Sequence, residues 1–254
     1  MASNNDIEVF KSGIEKNQFP RYLYKYWSVE SALRFLGNHK IMFSQYTAFI
    51  DPFECASNVD GNNPLKKWKA FLASQGLPLY KINKILSNIK ANKKVAEKMV
   101  QDSVKQTLLD SGIFCMTETP DNLLMWAHYA DEHRGVCLKF DLLNDLDTFY
   151  FPKKVDYNQT YLQYNYLQNP SKASEAIWHK SSDWAYEKEY RIIKPTYHGL
   201  MDVNPDALVG VVIGCRCDKV DEQKIKDAIA NIPYKNVVLQ HASLNHTKYC
   251  LDIK

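Results

Sequence analysis

Glycine is scarce in this 254-residue chain, nine against sixteen tyrosines, so flexible joints are few and large amphipathic rings are many. Such rings line grooves and wet interfaces as well as cores. No apolar run approaches the ~20 residues that a membrane span needs. The first twenty residues also lack the apolar stretch of a secretion signal. A cytoplasmic, soluble protein without membrane contact is therefore expected. The six cysteines, Cys55, Cys115, Cys137, Cys215, Cys217 and Cys250, are scattered, mostly within apolar strand-like runs. That suits reduced, buried thiols rather than a disulfide framework. Cys215 and Cys217 have C-x-C spacing without a second pair at zinc-site distance, so no metal site is assigned. Phosphate-cradling G-x-x-x-x-G-K-[ST] and G-x-G-x-x-G loops are missing, as is the G-x-S-x-G elbow. These absences speak against kinase, dehydrogenase and serine-hydrolase chemistry.

What is present is a globular composition, 45% hydrophobic and 13% aromatic, in a chain long enough for one good-sized core. A net charge of +3 does not by itself announce a nucleic-acid binder. Its distribution is uneven: ten lysines and only two acids, Glu97 and Asp102, lie between Lys66 and Lys105. The plainer account is a solvated helical face; the other is a nucleic-acid contact centred on Lys90, Lys93 and Lys94.

Residues 1–20 lack clear periodicity and read as an arm. "YLYKYW" (22–27) is strand-like, Ser28 caps a short helix that stops at Gly37, and "KIMFS" (40–44) is a second strand. Asp51 before Pro52 is extended and placed to cap a helix beginning there. Apolar residues at helical spacing from 64 to 111 predict a helical insertion or flank. A strand over 112–118 follows, then a helix opened by Thr119 and Pro120 and closed at Gly135, and a strand "VCLKFDL". Further strands are expected at 153–162, 184–192, 207–215 and 236–244, with helices over "SKASEAIWHKSS" and "VDEQKIKDAIANI". The sum is one α+β domain, 1–254 with a core of 20–245, whose sheet is mixed or antiparallel.

Within "WAYEKEYRI" a continuous strand puts Glu187, Glu189 and Arg191 on one face, the two carboxylates about 7 Å apart. This is either the wet, ion-paired face of an edge strand or a catalytic row. His128 and His133, five apart on one helix, differ by about 140° in direction and cannot easily share a metal. The remaining candidates are Tyr24, Tyr26, Ser44, Tyr46, Asp51, Glu54 and the stretch Trp126, His128, Tyr129. Polar groups at strand ends beside aromatic plates suit a flat, ring-bearing, phosphate-containing ligand.

Four ordered motifs, "YLYKYWSVESALRFL…IMFSQYTAFIDPFE", "GIFCMTETPDNLLMWAHYADEHRGVCLKFD", "WAYEKEYRI" and "LVGVVIGC", resemble the bacterial domain of unknown function 2971 family, from about Tyr22 to Ile229. Ile50 stands where the family usually has Asn before Asp-Pro-Phe. The order of parts is also remotely similar to ADP-ribosyltransferases. That resemblance implies NAD as substrate and a role for Glu189 in holding a ribose hydroxyl and stabilising an oxocarbenium-like charge. Glu187 would then help activate a protein or nucleic-acid acceptor, in an effector or defence enzyme. Tyr24, Tyr26, Ser44, Tyr46, Asp51, Trp126, His128, Tyr129 and Arg191 would bind the cofactor. Two other accounts stay open: a nucleic-acid binder or metal-dependent nuclease using the lysine-rich helices with Asp51, Glu54 and the glutamates, and a non-catalytic ligand or partner module.

Overall fold

The computed structural model describes residues 4–230 and 237–254. In chain order the first part comprises α1 (Asn4–Glu15), β1 (Tyr22–Trp27), α2 (Val29–Asn38), β2 (Lys40–Phe43) and β3 (Ser57–Asp60). Three helices follow, α3 (Leu65–Ser74), α4 (Leu79–Ala91) and α5 (Lys94–Asp110). Next come β4 (Gly112–Thr117), α6 (Leu123–Tyr129), β5 (Val136–Asp141), α7 (Leu146–Phe149), β6 (Lys153–Lys154), β7 (Asp156–Asn158) and β8 (Leu162–Asn165). The last part holds α8 (Lys172–Glu175), β9 (His179–Ser181), β10 (Glu189–Lys194), β11 (Gly199–Asp202), β12 (Leu208–Ile213), α9 (Lys219–Ala230), β13 (Val238–Leu244) and β14 (Leu251–Ile253).

Eight strands form one sheet in the order β14-β13-β12-β5-β1-β4-β10-β6. Only β12 and β13 run parallel within it, so the sheet is mixed and the α+β reading holds. One face packs α1, α2 and α9 through Phe10, Phe35, Leu36 and Ile225 against Leu23, Leu138, Phe140 and Val211. Helix α2 owes its start to Ser28, whose hydroxyl accepts from Ser31 N–H, a cap worth about 1 kcal/mol. On the other face α6 covers one end through Trp126, and α3–α5 build a second core around Trp68, Ile89, Val100 and Ile113. Between these two covers the face stays open.

Strand register decides what that open face carries. Tyr24 pairs with Thr117, and Thr117 with Glu189, so the three side chains share one row; Cys115 pairs with Arg191 in the next row of that face. β1 and β4 pair at this one position, and beyond it Lys25 reaches across, its ammonium donating to the Cys115 carbonyl at 2.6 Å. A strand ladder is thus replaced by a side chain where the two strands part.

Several expectations are corrected. Residues 4–15 of the supposed arm form α1, because Phe10 is buried between Phe19 and Phe151. Pro52 starts no helix; residues 52–55 form a turn in which Asp51 Oδ1 accepts from Phe53 N–H. α6 begins at Leu123 under an Asn122 cap and ends at Tyr129. The chain then passes through three residues with positive φ, Asp131, Glu132 and His133, so His128 and His133 share no helix. Gly135 and Gly214 are required there: a Cβ would meet the Trp27 carbonyl at 2.2 Å or the His133 carbonyl at 2.2 Å.

The stretch 184–192 is not one strand. Residues Ser182–Glu187 form a 3-10 helix, Lys188 sits in the left-handed region at φ 44°, and β10 starts at Glu189. Two bonds hold this shape: the Thr117 hydroxyl donates to the Glu187 carbonyl at 2.6 Å, and Glu118 N–H to the Lys188 carbonyl at 3.4 Å. The stretch 153–162 is three short pieces, and "SKASEAIWHKSS" is helical only to Trp178 before β9. The ends expected at 231–232 for α9 and at 236 for β13 lie outside the described residues, and β14 was not foreseen.

Candidate functional site

Where β1 and β4 part, a cleft of about 200 Å³ opens on the polar face. Its walls are Tyr24, Lys25 and Tyr26 of β1, Cys115 to Thr117 of β4, Met125 and Tyr129 of α6, and Ala48 to Asp51 of the loop after β2. Glu54, Lys180, Glu187, Glu189 and Arg191 also line it. All five are buried, Arg191 completely. The glutamates therefore form no wet surface row, and the account of a surface ion row is overturned.

Arg191 grips Glu189 with both arms of its fork, Nε to Oε1 at 2.8 Å and Nη2 to Oε2 at 2.9 Å, while Nη1 donates to the Ile177 carbonyl. The Glu189 N–H donates to the Tyr157 hydroxyl at 2.9 Å. Lys180 Nζ donates to Glu187 Oε2 at 2.6 Å and Glu189 Oε2 at 3.4 Å, and stands 3.7 Å from Glu54 Oε2. Tyr129 donates its hydroxyl proton to Glu187 Oε1 at 2.6 Å. Glu54 Oε1 lies 2.6 Å from Arg191 Nη2 but off the N–H axis, and is left without a hydrogen bond. Three acids thus share two buried cations.

This imbalance separates the three carboxyls. Burial raises Glu54, against the pull of Arg191 and Lys180. Burial likewise raises Glu187, with Lys180 opposing and the Glu189 charge adding to the rise. For Glu189 burial also pushes upward, but Arg191 and then Lys180 outweigh it and bring the group down to about 2. Lys180, penalised by burial, is nonetheless raised by the three glutamates and stays charged. Glu189 is a permanent carboxylate, while Glu54 and Glu187 are where the cluster takes up a proton. Burial pushes the Cys55 thiol up to about 12 and Cys115 well above its usual value, so neither supplies a thiolate.

Of the residues read from sequence, Glu187, Glu189, Tyr24, Tyr26, Asp51, Glu54, Tyr129 and Arg191 meet in this cleft. The Tyr26 hydroxyl is engaged, donating to the Thr119 carbonyl at 2.9 Å. Four others lie outside the lining. Ser44 exchanges backbone bonds with Ile113, Tyr46 packs against the helical core, and Trp126 is fully buried with its indole N–H on the Pro120 carbonyl. His128 stands beside Tyr129 and Tyr186. Lys180 was missed altogether, since its segment read as a helix and a single lysine among Trp178 and Trp184 carries no motif. Its ammonium lies 4.8 Å from the Trp184 ring centre. Lys180 and Arg191 stand between the carboxylates, where a nuclease would need its metal. Among the described residues no group of three or more His, Cys, Asp or Glu is placed to hold a metal ion. Among the described residues no helix is long and apolar enough to cross a membrane.

A family model described as "Protein of unknown function (DUF2971)" matches residues 125–192. The match supports the resemblance read from the motifs and runs from within α6 through the Lys180 strand to both glutamates. Comparison with curated proteins and with solved structures returns no match in either.

Proposed function

Starting from a likeness to a family of unknown function, we propose that the cleft is a glycosyl-transfer site acting on a ribosyl nucleotide, with NAD as its substrate. The observation that supports this is the cluster itself: three buried carboxyls on two buried cations, at the floor of a tyrosine-lined cleft. Its volume suits a ring-sized group, and the rest of a dinucleotide would lie across the mouth beside the exposed Ile50 and Phe53.

The chemistry divides between the carboxyls. As the bond from C1′ to the nicotinamide nitrogen breaks, the pyridinium takes the electron pair and leaves neutral, so no general acid is needed. Positive charge grows on the ribose, and the permanent Glu189 carboxylate, held rigid by Arg191, stabilises it. The acceptor oxygen or nitrogen forms the new bond to C1′ and gives its proton to Glu187 or Glu54, both of which burial makes more basic than an ordinary carboxylate. Tyr129 and Lys180 orient Glu187 for that transfer.

Nicotinamide release from NAD, followed for the native protein, Glu187→Gln and Glu189→Gln, tests the reading. Release is expected from the native chain and should fall at least about a hundredfold in Glu189→Gln. Because Glu189 is buried, each variant's melting curve is recorded alongside, and Tyr129→Phe provides a milder change at the same centre. Absence of release together with absence of any NAD-induced rise in Tm overturns the proposal and leaves the cluster a structural lock.

A further inference from the structure

We infer that the lysine-rich helices α3–α5 form a nucleic-acid-binding surface, with the phosphate backbone lying against α3 and α4. Residues 64–111 hold ten lysines and three acids, Glu97, Asp102 and Asp110, a charge of +7, which leaves −4 on the rest of the chain. All ten lysines are exposed. Lysine ion pairs elsewhere engage Lys11, Lys40, Lys154, Lys180, Lys224 and Lys226; none of the ten takes part. A solvated helix ordinarily interleaves acids four residues from its lysines. In α3 and α4 six lysines stand without a single acid and their positive field is uncompensated, whereas in α5 Glu97 and Asp102 lie four residues after Lys93 and Lys98.

Position sharpens the inference. α3 and α4 pack on each other, so Lys66, Lys67, Lys69, Lys81, Lys84 and Lys90 are gathered on two neighbouring helices. An anionic bilayer is the poorer partner, because a helix lying in a membrane needs an apolar face to bury. Those faces are spent in the core: Trp68, Leu72, Ile82, Ile89, Val100 and Val104 are all buried. Segment 46–54 joins this surface to the cleft. Its Tyr46 and Phe49 pack on the helical core while Asp51 and Glu54 line the cleft. The inference does not depend on the cleft's chemistry, and its readout is binding alone.

Fluorescence anisotropy with a labelled 24-nucleotide RNA and a labelled 24-base-pair DNA duplex tests it on the full chain. The native protein should bind at least one probe, with affinity falling steeply as salt rises. Lys69→Glu with Lys81→Glu and Lys84→Glu should weaken binding tenfold or more and flatten the salt dependence. The control Lys16→Glu with Lys219→Glu and Lys248→Glu has the same net charge, and all three sites are exposed; it should stay within about threefold of native. Matching Tm values establish that both variants fold. Overturning results are no binding to either probe, equal loss in both variants, or binding to phosphatidylserine vesicles without binding to nucleic acid.

Discussion

At the residue scale, the cluster was partly legible. Glu187, Glu189 and Arg191 announce themselves as charges crowded into an aromatic stretch, and Tyr24 and Tyr129 as rings beside strand ends. Glu54, which the sequence offers only as a candidate metal carboxylate, and Lys180, which it does not single out, complete the cluster from 133 and 7 residues before Glu187, and sequence spacing cannot report contacts made only by the fold. The consequence is measurable in Glu54. Its folded carboxyl is raised by burial, so it holds a proton more tightly than the unfolded chain does. The stability it contributes is fully present below the ordinary carboxylate value and is lost as pH rises through the raised one. Glu189 has the opposite sign: lowered to about 2, its contribution is present above the ordinary value and lost only as pH falls toward 2. Glu54→Gln should therefore reduce the fall in Tm that follows as pH rises above the ordinary carboxylate range and leave the acid limb unchanged. An undiminished fall in the variant would mean that Glu54 does not carry the raised proton.

At the element scale, the E-x-E motif points both glutamates inward by a route that no strand pattern foretells. Alternation in a strand would have sufficed; instead a 3-10 turn ends at Glu187, Lys188 turns the chain at φ 44°, and the strand starts at Glu189. The motif's outcome was readable and its geometry was not, because six residues rich in aromatics suit a strand by propensity. Tertiary bonds from Thr117 and Glu118 decide otherwise. The same limit explains α1, whose register depends on Phe10 finding Phe19 and Phe151. Lys188 is exposed, so its backbone alone is at stake. Lys188→Gly should fold with near-native Tm, whereas Lys188→Val should lose about 1–2 kcal/mol in urea unfolding, since a β-branched residue resists the left-handed region. Equal stability of the two variants would remove the turn as the device that aims the pair.

For the whole molecule, the periodic regions were the legible ones: the strands at 22–27, 112–117, 136–141 and 208–213 and the helices of 64–111 all carry apolar patterns that local sequence sets. How they join is a matter of shared core. The helical segment's apolar residues do not close on themselves. Trp68, Ile89 and Val100 pack in one cluster with Cys55, Ile113, Tyr164, Ala176 and Ile177, which lie outside the segment. Ile113 is the second residue of β4, and Ile177 gives its carbonyl to Arg191, so the same packing reaches the floor of the cleft. Loosening the helices therefore leaves Arg191 and its glutamates without support. We expect α3–α5 and the sheet to unfold as one unit. Leu72→Ala, a buried site in α3 remote from the cleft lining, should cost about 2–5 kcal/mol. That loss should appear equally in far-ultraviolet circular dichroism, which follows the helices, and in the protection of β4 and β10 amides from hydrogen exchange. If the helices melt first while those amides stay protected, residues 64–111 are a unit of their own, and the coupling between the basic surface and the cleft falls with it.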